Sequence, residues 1–188
     1  MEELNKLRKF YLLKNVERAN RVKNRKESSA EHTWSCLMLA DYFLTKMGEK
    51  GKNLDRLKIY ELLMYHDVVE IEAGDIPIHH TERRKNKTEN EKKALAKLKE
   101  QIPVELKNKF VSLFEEFEEE RTEEAKFAQA IDKLDAQIHE LDYKKDWKGW
   151  DEQMVRKFFE KPIVQFPEIK KTFEKLLQYV NEQGYFRQ

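Results

Sequence analysis

Cysteine, glycine and proline are all scarce in this 188-residue chain, and each scarcity excludes something. The single cysteine, Cys36, rules out an intrachain disulfide and a cysteine zinc cluster. Five glycines and four prolines are too few for a turn-rich all-β protein or a flexible linker protein. No run approaches the roughly 20 apolar residues that cross a bilayer, and no N-terminal apolar block resembles a signal peptide. The expectation is a cytoplasmic protein without a membrane partner. Net charge is lacking as well: 37 Lys and Arg oppose 36 Asp and Glu, leaving +1. That balance gives no global pull toward polymeric nucleic acid, so any anion site must be local.

What is present is charge and helix-forming sequence. Charged residues make up 39% of the chain and apolar residues another 39%, with long runs of Leu, Lys and Glu. Helical spacing predicts a first helix from about Leu4 to Ala19, followed by a basic connector from Arg21 to Lys26. A second helix begins after Glu27-Ser28-Ser29 and ends near Met47-Gly48. A third spans roughly Leu54 to Glu72, before the irregular turn Asp75-Ile76-Pro77. Further helices are expected from about Glu91 to Gln101, from Pro103 through Phe117, from about Glu123 to Tyr143 and from Pro167 to Val180. The polar, basic stretch Thr81 to Asn90 reads as a loop or a helix start. No repeat or domain boundary is visible, so residues 1–188 are expected to form one all-α helical bundle.

Chemistry shows where polar residues fall on apolar faces. In the second helix Cys36, Ala40, Phe43 and Met47 share a face, and one turn before Cys36 lies His32. In the third, His66, Asp67 and Glu70 interrupt the stripe Ile59, Leu62, Leu63 and Val69. An ionised carboxylate buried without a partner costs several kcal/mol, on the order of what a bound cation would remove. A lone inward histidine is more often a hydrogen-bonded core residue, and Glu70 could pair with a nearby base. The combination of His32, His66-Asp67 and an acid on a later helix suits a metal held by N and O ligands from several helices.

The run Glu27-Ser28-Ser29-Ala30-Glu31-His32-Thr33-Trp34 resembles the first metal motif of the HD-domain phosphohydrolases, in particular their nucleotidase branch. Met64 through Pro77 is similar to that branch's second motif, and Phe127 through Leu134 to its last. The resemblance covers residues 4 to 145, with C-terminal helices at about 150–182 beyond it. It implies an HD-type fold and one divalent metal held by His32, His66, Asp67 and Asp132. Helical periodicity alone favours Asp135 over Asp132, and motif alignment favours Asp132. Glu70 and Asp75 match acids that contact the attacking water or the substrate, and Arg18 matches a phosphate-binding arginine of the first helix. Arg21 and Arg25 are the alternatives to Arg18. Ala19 stands where some deoxynucleotide-selective relatives carry an aromatic residue, which leaves the sugar preference open.

The activity so implied is hydrolysis of a (deoxy)nucleoside 5′-monophosphate, the small nucleotide being the partner. Two imidazoles in the ligand set favour manganese, cobalt, iron or zinc over magnesium. Competing readings are action on a cyclic nucleotide or a nucleoside triphosphate, a non-catalytic nucleotide- or metal-binding module, and a structural metal staple. The aromatics Phe158, Phe159, Phe166, Phe173 and Tyr179 either form a homodimer interface or close the core. His79 and His80 read as surface residues, Arg83 to Lys87 as a solvated loop, and Trp34 and Trp147 as core or interface aromatics.

Overall fold

A computed structural model describes residues 1–187, the side chain of Arg83 excepted. Helices dominate, as the Leu/Lys/Glu-rich composition leads one to expect. They are α1 (Glu2–Phe10), α2 (Ser29–Lys46), α3 (Arg56–Tyr65), α4 (Lys87–Gln101), α5 (Val104–Glu118), α6 (Glu123–His139) and α7 (Pro167–Glu182), with shorter turns between them. α6 is the central element: it packs against α2, α3, α5 and α7. Its face is correspondingly apolar, with Phe127, Ala128, Ile131 and Leu134 fully buried. No helix among the described residues is long and apolar enough to cross a membrane.

Two expectations fail in ways that matter for the site. The first helix stops at Phe10, not Ala19; a 3₁₀ turn (Tyr11–Asn15) follows, and then a two-stranded antiparallel hairpin of β1 (Glu17–Val22) and β2 (Arg25–Ser28). The chain leaves the helical region at Val16 (φ −82°, ψ 113°), and the Val16 carbonyl accepts from Ser29 N–H rather than continuing a helix. Pairing with β2 outweighs the helical propensity of the segment. The register is irregular between Glu17 and Arg21, a bulge-like feature that re-aims side chains on that strand. Arg18 therefore projects from a strand.

The third helix is also interrupted. α3 ends at Tyr65, and a separate turn of helix occupies Glu70–Ala73. Between them the backbone tightens to i→i−3 bonds, from Val68 N–H to Tyr65 O through Glu72 N–H to Val69 O. His66 Nδ1 takes the Leu63 carbonyl at 2.6 Å, an acceptor that a continuing α-helix would have used. The break thus coincides with the polar residues that interrupt the stripe. At the other junction β2 runs into α2 without a loop, through a capping box: Ser28 Oγ accepts from Glu31 N–H, and Glu31 accepts from Ser28 N–H.

The C-terminal aromatics close the core of the single chain. Phe159, Phe166 and Phe173 are buried there, and Tyr179 is exposed. Trp147 is buried with its Nε1–H donated to the Glu140 carbonyl, whereas Trp34 is exposed on α2.

Gly51 sits where a Cβ would lie 2.1 Å from the Leu44 carbonyl oxygen, a backbone atom that cannot move aside. Gly51→Ala is expected to destabilise the fold by about 1–3 kcal/mol, the usual cost of overpacking, seen as a lowered thermal midpoint. An unchanged midpoint would mean that the approach of α2 to the turn Glu49–Lys52 is looser than described.

Candidate active site

His32, His66, Asp67 and Asp132 come from α2, the end of α3, its following turn and α6, and their polar atoms converge in the buried interior. His32 is fully buried, and the other three are less than one tenth exposed. His32 Nε2 lies 3.0 Å from Asp132 Oδ1 and 4.0 Å from Asp67 Oδ2. His66 Nε2 lies 3.2 Å from Asp67 Oδ1 and 4.0 Å from Asp132 Oδ1. Ligand atoms at right angles around a cation with bonds of about 2.1 Å stand about 3 Å apart, so this spacing suits a metal.

The hydrogen bonds of the imidazoles sharpen the point. His66 Nδ1–H donates to Leu63 O, so Nε2 is left with a lone pair, and that atom is buried without a hydrogen-bond partner. His32 Nδ1 is 2.8 Å from Asp135 Oδ2; donation there turns the Nε2 lone pair toward the Asp132 carboxylate. The His66 Nε2 lone pair therefore faces the Asp67 carboxylate unpaired, and at His32 Nε2 either a proton or a bound cation would satisfy Asp132. Two triads that share His32, namely His32, His66 and Asp67, and His32, Cys36 and Asp132, bring their ligand atoms within 4.8 Å of one another, and imidazoles beside carboxylates suit a borderline metal. Of the two acids that periodicity left open, Asp135 contacts His32 Nδ1, whereas Asp132 Oδ1 lies 3.0 Å from His32 Nε2 and 4.0 Å from His66 Nε2.

The electrostatics are those of a site built to attract positive charge. Burial and the Arg18 charge act to lower the His32 pKa, yet contacts with Cys36, Asp132 and Asp135 outweigh them and raise it well above the usual value. Burial acts to raise the Asp132 carboxyl, but Lys133 and then His32 and His66 hold it well below the carboxylate range. Lys133 Nζ is 2.6 Å from Asp132 Oδ2.

Beside this cluster opens a cavity of about 710 Å³, lined by Arg18, Glu70, Asp75 and Lys133 among others. Arg18 Nη1 donates to Asp67 Oδ2 at 3.0 Å, and Arg18 Nε lies 3.4 Å from the buried Glu27. Burial opposes its charge, but Asp67, Glu70, Asp132 and Asp75 keep the guanidinium firmly protonated. Glu70 accepts from Ser29 Oγ at 2.7 Å; burial, then Asp67, push its pKa well above the usual range. Burial also raises Asp75, against the pull of Arg18. Of the alternative arginines, Arg21 is half exposed and pairs with Asp146, and Arg25 pairs outward with Glu31. His79 and His80 are exposed at the cavity mouth, where His79 meets the edge of Trp150. Sequence reasoning passed over Lys133, Ser29 and Glu27 as site residues. A lysine next to an inward aspartate was the available signal for the first; the other two lay inside the motif as unassigned polar positions.

The HD domain family model matches residues 11–170, and the chain belongs to that family. Among curated relatives, the 5′-deoxynucleotidase HDDC2 of Dictyostelium discoideum is 27% identical over 121 residues, 63% of this chain and 64% of that protein. The 5′-deoxynucleotidase hdd1 of Schizosaccharomyces pombe is 25% identical over 156 residues, 81% of this chain and 75% of that one. The chain thus spans less than two thirds of the length of the Dictyostelium relative. Among solved structures, a predicted metal-dependent phosphohydrolase from Magnetospirillum magnetotacticum superposes with a TM-score of 0.80 at 25% identity, covering 98% of this chain and 93% of that one. An HD-domain phosphohydrolase from Listeria innocua has the same fold, with a TM-score of 0.69 at 22% identity over 96% of this chain and 90% of that one.

Asp135→Asn keeps the size of the side chain but weakens its hold on the His32 ring. Affinity for manganese or cobalt is expected to fall roughly 10- to 100-fold while the helical circular-dichroism signal persists. Unaltered affinity in calorimetry would remove Asp135 from the support of the site.

Proposed function

We propose that this protein is a metal-dependent phosphohydrolase that removes phosphate from (deoxy)nucleoside 5′-monophosphates. The observation that carries the reading is the convergence of four buried N and O donors beside a cavity in which a charged arginine and a lysine flank the same carboxylates. Names of relatives from Dictyostelium and Schizosaccharomyces, both 5′-deoxynucleotidases, support the substrate class.

His32, His66, Asp67 and Asp132 would hold one divalent metal; manganese, cobalt, iron or zinc fits two imidazoles better than magnesium. When bound, such a cation supplies Lewis-acid polarisation of a phosphoryl oxygen and lowers the pKa of water to near neutrality. The protein's own groups do the rest. Arg18 binds and orients the phosphate through the guanidinium donors left free by its bond to Asp67, and Lys133 adds a second positive charge from α6. Glu70, buried and hydrogen-bonded to Ser29, holds or accepts a proton of the attacking water. Asp75, at the cavity wall beside Arg18, orients water or accepts a sugar hydroxyl. Burial of these acids excludes bulk water and strengthens each interaction in the site.

The test is phosphate release from a panel of nucleoside and deoxynucleoside 5′-monophosphates after chelation and re-addition of manganese, cobalt, zinc or magnesium. Turnover is expected to require added metal and to vanish in His66→Ala and in Asp67→Ala, both with helical content intact. Arg18→Ala is expected to lower kcat/KM by about 10- to 100-fold, as loss of charge-assisted hydrogen bonds worth roughly 1.5–3 kcal/mol would. Turnover that survives His66→Ala, or a preparation that acts only on cyclic nucleotides or triphosphates, would overturn the reading.

A further inference from the structure

The cavity extends well beyond the donor cluster, along two elements that run side by side. On α6 and the residue after it, Asp132, Lys133, Ala136, Gln137 and Glu140 all line it, at offsets of one, four, five and eight from Asp132, as one broad helical face requires. β1 follows the same course. Arg18 contacts Asp67, which neighbours Asp132; Asn20 Nδ2 donates to Ala136 O at 3.5 Å; and Arg21 O accepts from His139 Nε2 at 2.5 Å. The trough therefore begins at the cationic, metal-suited end and continues for eight residues of α6, about 12 Å at 1.5 Å per residue.

Its far end holds a carboxylate oxygen that no donor satisfies. Glu140 Oε2 is buried with no hydrogen-bond partner among the described residues, and beside it Asp146 Oδ2 is held in an ion pair with Arg21 Nε at 3.0 Å. Gln137, only 6% exposed, lines the same stretch, and its carboxamide makes no hydrogen bond among the described residues. Acceptors buried without donors are costly, which marks this end as shaped for a ligand that brings N–H groups.

We propose that the end of the trough formed by Gln137, Glu140 and Asp146 is a nucleobase subsite, and that it favours guanine. The inference rests on the nucleotide reading above, in that it takes the phosphate to lie at the Arg18 and Lys133 end. A base then falls near Glu140. Guanine presents two adjacent donors, N1–H and N2–H, on its Watson–Crick edge, which match a carboxylate; adenine and cytosine present a donor beside an acceptor, which do not. Reading an edge with the otherwise unpaired Glu140 carboxylate gives strong discrimination, because the wrong edge leaves it unpaired again.

A pH signature follows. Burial, and then the neighbouring Asp146, push the Glu140 carboxyl up to about 7; His139 and Lys26 pull against this, and Glu27 adds to it. Arg21 from β1 and Lys145 from the turn Lys144–Trp147 also face this end of the cavity. Above about pH 7 Glu140 is the double acceptor that guanine needs, and below it the protonated acid is not. Guanine preference is expected to rise with pH through that value.

The test uses non-hydrolysable 5′-phosphonate analogues of the four deoxynucleosides, and the same sugar phosphonate without a base. Their binding to manganese-supplemented protein is measured by calorimetry, with turnover of the natural monophosphates assayed alongside. At pH 8 the protein is expected to prefer the guanine over the adenine analogue. Glu140→Gln is expected to erase about tenfold of that preference at pH 8 and to remove its pH dependence, leaving the base-free analogue unaffected. Gln137→Ala, a second variant should the first fold poorly, is expected to reduce the same ratio. An unchanged guanine-to-adenine ratio, an equal loss on the base-free analogue, or no binding of any analogue would overturn the subsite. Natural monophosphates left intact while Glu140-dependent base preference persists would sink the proposed hydrolysis and spare the subsite; turnover with no such preference would do the reverse.

Discussion

One imidazole organises this protein. His32 is fully buried, with a carboxylate of α6 at each ring nitrogen: Asp135 at 2.8 Å from Nδ1 and Asp132 at 3.0 Å from Nε2. Three ionisable side chains in a protein interior are tolerable only if their charges and lone pairs are matched, and here the match spans two helices. The contact fixes the orientation of α2 against α6. Because α2 starts straight after β2, it also fixes the hairpin, and the hairpin carries Arg18 onto Asp67. Placement of the cluster and placement of the arginine are consequences of the same packing.

Around that contact the fold divides labour between rigid and irregular backbone. Long helices with apolar faces supply His32 and Asp132. The interrupted end of α3 supplies His66, Asp67 and Glu70, where i→i−3 bonds and the His66–Leu63 hydrogen bond bring three polar side chains in five residues toward one region. The opposite wall is the bulged hairpin, whose short irregular pairing lets Glu17 through Arg21 line a single trough. Arg18 and Lys133 lie beside the donors, and the Glu140 and Asp146 carboxylates, with Arg21 and Lys145 near them, lie at the other end. The carboxylates of that far end are the basis for reading the trough as a place for phosphate at one end and base at the other.

Much of this was legible from residues alone. His32, His66, Asp67 and Glu70 stood out because each breaks an apolar stripe, and a polar residue on such a stripe is buried whatever partners it finds. The boundaries of α2 followed from Glu27-Ser28-Ser29 before it and the glycine after Met47; the structure adds the capping box between Ser28 and Glu31. The central α6 followed from its apolar spacing. Periodicity could not choose between Asp132 and Asp135, because both are buried on a helix packed from several sides. Nor did it foretell the hairpin: Glu-Arg-Ala-Asn-Arg-Val has neither the alternation nor the β-branched content of a strand. Its conformation is set by pairing with β2 and by contact with α6.

The sequence by itself determined an all-α bundle with a histidine- and aspartate-bearing interior and a family membership, because local spacing decides which residues are helical and which faces are buried. Only the tertiary structure decided which carboxylate faces which ring nitrogen, that Arg18 rather than Arg21 or Arg25 joins the cluster, and that Gln137, Glu140 and Asp146 close the same cavity. Those outcomes depend on the angle and register at which separate elements meet. Such distances are fixed by long-range packing, which no local pattern encodes.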